Sequence, residues 1–243
     1  MAKAASLAAH SVQVQSVFLS GVPCSLIAGR AAFFLLDIIL NKQYISYMTL
    51  ANKFTLSRIV FAPLFFIVYF APEWFGFPPA VSACILVPLL AYAEFTDFLD
   101  GYFARKMKEV SDFGKIFDPF ADVLLHMTVF FCFALAGYMP KLILILIFYR
   151  EFSMLFLRLM AIKGNVAIAA RKGGKAKTVL YVVTGFFSLF IECCARCGIS
   201  FPENIPAVLS IVALALYVVS LIACYASFVD YLKHFKDVLK GQL

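Results

Sequence analysis

The 243-residue chain is short of charge: 14% of its residues are Asp, Glu, Lys or Arg, while 63% are hydrophobic. A soluble domain carries about 25% charged and about 45–50% apolar residues, so the apolar excess here is too large for a core and must face lipid. Histidine is also scarce. Three histidines and one unmatched Cys194-x-x-Cys197 pair do not complete a zinc site. Nor does any histidine have an obvious nucleophile partner in a polar loop, as a serine or cysteine hydrolase would require. The seven cysteines lie mostly in apolar runs, where a thiol behaves as a small hydrophobe. No polar linker divides the chain, which points to a single membrane domain. The net charge of +7 is dispersed around apolar segments. That argues against nucleic acid and for anionic head groups and phosphorylated substrates.

A spanning helix needs about 20 mostly apolar residues. Six segments qualify, at about 54–70, 80–103, 118–138, 141–162, 178–198 and 206–230, so the expected fold is all-α and polytopic with six transmembrane helices. Pro72 to Pro79, Gly137 to Pro140 and Gly198 to Pro206 supply turns. Basic residues gather on one side: Lys53 and Arg58, then Arg105, Lys106, Lys108 and Lys115, then Lys163, Arg171, Lys172, Lys175 and Lys177, then Lys233, Lys236 and Lys240. The other side has Lys141 and Arg196. By the positive-inside rule the first side is cytoplasmic, with both ends of the domain inside.

Residues 1–47 fit less simply. Arg30 and Asp37 interrupt the apolar run from Val17 to Leu40, and Lys3 alone is a weak start for a signal peptide. The stretch reads as an interfacial or re-entrant extension preceding a domain of residues 48–243, or as upstream of a true start at Met48.

The informative charges are four aspartates within 26 residues: Asp97, Asp100, Asp118 and Asp122. A carboxylate inside the membrane costs at least about 2.5–3.5 kcal/mol, and four together repel unless a cation neutralises them. At about 100° per residue, Asp97, Asp100, Gly101 and Ala104 share one stripe. Asp118 and Asp122 lie one turn apart on the next helix, with Gly114 a turn earlier. The small residues permit close helix approach or leave room for a ligand. Oxygen-only donors suit Mg²⁺ or Mn²⁺, and four carboxylates suit a two-metal phosphoryl-transfer site. Simple ion pairing with Arg105, Lys106 and Lys115 is the alternative. His126 reads as a packed core histidine.

The run Asp97-x-x-Asp100-Gly101-x-x-Ala104-Arg105, eight residues, Gly114-x3-Asp118-x3-Asp122 resembles the signature of the CDP-alcohol phosphatidyltransferases at every fixed position. The resemblance implies a six-helix, usually homodimeric membrane fold whose site opens to the cytoplasm, here the inner face of the cell membrane. It implies that Asp97, Asp100 and Asp118 hold the metals with Asp122 contributing, and that Asp122 is also the general base toward the acceptor hydroxyl. Gly101 and Ala104 would admit the cytidine nucleotide, Arg105 would hold it, and Gly114 would stand beside it. The opening Asn52-x-x-Thr55-x-x-Arg58, Thr96 before the motif, the arginines Arg150 and Arg158, and Gly174-Lys175-x-Lys177-Thr178 are similar to the phosphatidylglycerophosphate synthases within the family. Asn52, Thr55, Arg58 and Thr96 are thereby expected on the CDP-diacylglycerol side. Arg150, Arg158, Lys175 and Lys177 are expected at the phosphate of glycerol 3-phosphate, since arginine binds phosphate bidentately. For Arg150, pairing with Glu151 is the alternative, and for Lys175 and Lys177 a purely topological role. Val123 departs from the lysine common in those synthases, which keeps choline, serine, inositol phosphate or phosphatidylglycerol open as acceptors.

Two rival classes remain. A transporter explains intramembrane charge, but it favours midplane sites and internal repeats, and no repeat is evident. An inactive lipid-binding homologue would be expected to have lost motif residues, and none is missing.

Overall fold

The computed structural model describes residues 50–107, 114–163 and 172–240. The extension at 1–47, including its proposed surface helix, lies outside the described residues. Those described form six α-helices and no strand: α1 Leu50–Phe75, α2 Pro79–Met107, α3 Gly114–Leu135, α4 Lys141–Lys163, α5 Lys172–Arg196 and α6 Ile205–Lys240. Each overlaps one of the apolar segments expected from the sequence.

Five helices contain stretches long and apolar enough to cross a membrane: Asn52–Phe75, Pro79–Asp97, Ile116–Leu135, Ala176–Arg196 and Ile205–Lys233. The exception is α4. It is 23 residues long, about 35 Å at 1.5 Å per residue, but it carries Arg150, Glu151 and Arg158. Arg150 and Glu151 are buried inside the bundle, so these charges meet protein rather than lipid. The protein is an integral membrane protein. Its outer surface agrees, with Leu142 at 69% exposure and Ile211 at 66%.

Among the described residues, the successive pairs α1–α2, α3–α4 and α5–α6 pack directly on one another, whereas α2–α3 and α4–α5 scarcely touch, so sequence adjacency does not make α2 and α3 packed neighbours. α3 ends in a Schellman motif: Tyr138 N–H donates to Phe133 O at 2.9 Å and Gly137 N–H to Ala134 O at 3.3 Å. Gly137 takes φ +87°, and an added Cβ would meet nothing within 4 Å. Backbone conformation, not space, therefore selects glycine. Gly198 (φ +68°) closes α5 in the same way.

The bundle is built on α1, which packs against α2 and α3, and on the pair α5–α6; α4 joins α3 to α6, and α5 contacts α2 and α3. Phe130 lies edge-on to Tyr181 and Tyr217, with centroids at 5.1 and 5.9 Å, so aromatic packing centres the core. Hydroxyl pairs also link α5 to α6, Ser188 to Tyr217 at 2.7 Å and Thr184 to Ser220 at 3.0 Å. Interhelical hydrogen bonds in membranes are worth about 0.6 kcal/mol on average. Ser188→Ala should therefore cost about that much, measured as a small loss of resistance to denaturant in detergent. At the end of α5, Arg196 donates to Glu192 Oε1 (2.6 Å), Ser82 Oγ (2.7 Å) and Tyr69 O (2.9 Å), tying α5 to α1 and α2.

Candidate active site

Three helices meet at the end of the bundle opposite Arg196. On α1, Thr55 and Arg58 are three residues apart and share a face. On α3, Asp118 and Asp122 share a face four residues apart. Between them, Thr55 Oγ1 donates to Asp118 Oδ1 at 2.5 Å. Arg58 Nη1 donates both to Asp97 Oδ1 on α2 and to Asp122 Oδ1 on α3. Arg58 is 1% exposed, while the Asp97 and Asp122 side chains are 39% and 33% exposed. The guanidinium thus closes the buried side of a carboxylate cluster whose other side is open to a ligand.

The remaining motif residues are placed by backbone alone. Asp100, Gly101, Ala104 and Arg105 continue α2 and Gly114 opens α3, but their side chains lie outside the described residues. Asn52 is buried on α1, one turn before Thr55. The Thr96 hydroxyl donates to Ala93 O at 2.8 Å within its own helix, a common way for a helical threonine to satisfy itself.

Among the described residues, no three Asp, Glu, His or Cys side chains surround one point closely enough to hold a metal ion. The donor set nevertheless suits a hard cation. Asp97, Asp118 and Asp122 offer oxygens only, come from two helices that both pack on α1, and two of them already share one positive group in Arg58.

A second polar cluster lies inside the bundle among α4, α5 and α6. Glu151, 2% exposed, accepts from Arg150 Nη1 (2.9 Å), from Lys177 Nζ at both oxygens (2.8 and 2.9 Å) and from Tyr181 OH (2.9 Å). Arg150 also donates to Ser227 Oγ at 3.2 Å. Two of the four cations expected at an acceptor phosphate are therefore paired with one carboxylate. Arg158 differs: among the described residues it has no ion pair or hydrogen bond, and its Nε, like that of Arg150, is buried without a partner. The side chain of Lys175 lies outside the described residues.

The sequence reading missed two carboxylates as members of these networks. From the sequence, Glu151 is a partner for Arg150 alone. Glu94, one turn before Asp97, faces His126. The signal available for both was an acidic residue inside an apolar run.

Residues 48–235 match the family of CDP-alcohol phosphatidyltransferases. The chain is 38% identical over 202 residues to a CDP-diacylglycerol–glycerol-3-phosphate 3-phosphatidyltransferase of Treponema pallidum (strain Nichols), covering 79% of this chain and 92% of the relative. An enzyme of the same name from Aquifex aeolicus (strain VF5) is 34% identical over 203 residues, 79% of this chain and 99% of its own length. One from Bacillus subtilis (strain 168) is 36% identical over 140 residues, 55% and 72% of the two chains.

Proposed function

Because the chain belongs to the CDP-alcohol phosphatidyltransferase family, we propose that it transfers the phosphatidyl group of CDP-diacylglycerol to sn-glycerol 3-phosphate, giving phosphatidylglycerophosphate and CMP. Among the observed features, the gathering of Asp97, Asp118 and Asp122 around Arg58 and Thr55 supports this reading best. Two Mg²⁺ or Mn²⁺ ions would be held by Asp97, Asp100 and Asp118, with Asp122 contributing. Such cations, when bound, neutralise the diphosphate and the departing CMP.

The chain's own groups do the rest. Asp122 accepts the proton of the acceptor hydroxyl as that oxygen bonds to the β-phosphorus on the lipid side. The phosphorus–oxygen bond to CMP breaks, and CMP leaves with the bridging oxygen. Thr55 and Arg58 orient the carboxylates. Gly101, Ala104 and Arg105, with Asn52, Thr96 and Gly114 nearby, form the nucleotide side. The reaction then depends mainly on positioning and charge.

The acceptor's phosphate meets Arg158, supported by Lys175, with Arg150 and Lys177 held behind by Glu151. Arg158 is the described member of this set whose guanidinium is not engaged by Glu151, since Arg150 and Lys177 both are. A charge-assisted hydrogen bond contributes about 1.5–3 kcal/mol. Arg158→Gln should therefore raise KM for glycerol 3-phosphate about 10- to 100-fold while leaving KM for CDP-diacylglycerol nearly unchanged. An unchanged acceptor KM would remove Arg158 from this role.

Val123 packs against the hydrophobic core, so the position beside Asp122 gives no cation to an acceptor. The deciding experiment is CMP release by purified protein supplied with CDP-diacylglycerol and Mg²⁺ or Mn²⁺. Glycerol 3-phosphate is compared with serine, choline, inositol phosphate and phosphatidylglycerol. Turnover with glycerol 3-phosphate is expected. Turnover with another alcohol instead would replace the acceptor, and no turnover by folded protein would overturn the reading. The proposal places six spans in the inner, cytoplasmic membrane, the site facing the cytoplasm, and two copies in a homodimer.

A further inference from the structure

His126 joins the two halves of the site. Its Nδ1 lies 2.8 Å from the carbonyl oxygen of Asp122. A carbonyl only accepts, so Nδ1 carries a proton; Nε2 faces Glu94 Oε1 at 3.3 Å, a contact that is attractive with a second proton between them, as in an imidazolium–carboxylate pair. Glu94 precedes Asp97 by three residues on α2, and His126 follows Asp122 by four on α3. The pair therefore bridges the same two helix faces that carry the aspartates, one turn deeper in the bundle. The His126 ring also packs on Tyr181 of α5, with centroids 5.7 Å apart. Tyr181 OH in turn donates to Glu151 Oε1 at 2.9 Å, the carboxylate that holds Arg150 and Lys177. His126 is 8% exposed. Apolar side chains would fill its place without the cost of burying Glu94 beside it.

We infer that His126, oriented by Glu94, is a positioning residue. It fixes Asp122 relative to Asp97 across α2 and α3. Through Tyr181 it also fixes the separation between Asp122 and the cations of the acceptor side. The inference rests on the proposed transfer reaction. In that reaction a misplaced acceptor loses to water, which attacks the same phosphorus and yields phosphatidate and CMP. A displacement of about 1 Å at such a site costs on the order of 100-fold.

The test uses the full-length protein in detergent, with rates normalised to monodisperse, folded protein. It compares His126→Phe, which keeps a ring on Tyr181 but loses both polar contacts, with His126→Gln, which restores a donor toward Asp122 O. Glu94→Leu is the independent second variant. CMP, phosphatidate and phosphatidylglycerophosphate are all quantified. His126→Phe and Glu94→Leu are expected to lower kcat for transfer by about tenfold or more. They should raise the share of CMP formed by hydrolysis and leave KM for CDP-diacylglycerol within about twofold. His126→Gln should recover most of the loss. Wild-type kcat and product partition in every folded variant would overturn the inference, as would a loss that disappears once rates are normalised to the folded fraction. A wild-type protein that transfers to no acceptor overturns the functional reading, and this inference with it.

Discussion

Asp122→Asn is expected to lower the rate of CMP formation by about a thousandfold or more and to leave the protein folded. The substitution changes no volume and keeps an oxygen that can accept from Arg58 Nη1, the contact that Asp122 Oδ1 makes. It removes two things at once: the basic oxygen that takes the acceptor's proton, and one negative charge from the cation-binding set. General-base removal alone typically costs about 100- to 10,000-fold. Asp122 shares Arg58 with Asp97, has its backbone carbonyl engaged by His126 and lies one turn from Asp118. The check is the initial rate of CMP release at saturating CDP-diacylglycerol, with size-exclusion behaviour as the folding control. Retention of more than about a tenth of wild-type turnover would exclude Asp122 as the base, whatever its neighbours contribute. Asp118→Asn separates the two roles, since it alters the charge of the set without touching the base.

The helices were legible because lipid imposes one simple rule, that a run of apolar residues of membrane length must be helical. The helices nevertheless overrun the expected segments at the site end. α2 continues to Met107, α5 begins at Lys172 and α6 runs to Lys240. Hydropathy reports where lipid ends, and a helix has no reason to stop there. The aspartates were legible as a pattern on two helices. Their closest partners are harder to read, because Arg58 lies 39 residues from Asp97 and 64 from Asp122. Pairing over that distance depends on how α1 rotates against α2 and α3, which local spacing does not encode. The same holds for Lys177 and Tyr181, which reach Glu151 across 26 and 30 residues. Arg150 shows the limit from the other direction. Its bond to Glu151 joins sequence neighbours, but the sequence alone left phosphate binding and ion pairing equally open.

Arg58→Met should produce the second large effect, a loss of about 3 kcal/mol in stability that divalent cations partly reverse. Removing one partner of a buried ion pair typically costs about 3–5 kcal/mol. The lower end applies because the Asp97 and Asp122 side chains are 39% and 33% exposed, so water screens part of their repulsion. Methionine replaces the apolar stem, which isolates the charge from the packing. Without the guanidinium, Asp97 and Asp122 lose their shared donor, and Asp118 retains Thr55. A cation that binds only the folded protein stabilises it by mass action, and the variant's excess negative charge strengthens that binding. Melting midpoints in detergent should therefore fall by several degrees with a chelator present. They should rise on adding Mg²⁺ or Mn²⁺ by more in the variant than in the wild type. Equal midpoints in chelator would mean that Arg58 is not what neutralises the carboxylates. A fall that neither cation reverses would mean that the cluster does not bind them. Activity should fall as well, since Arg58 sets where the Asp97 and Asp122 oxygens point, but the difference in cation response is what separates neutralisation from packing.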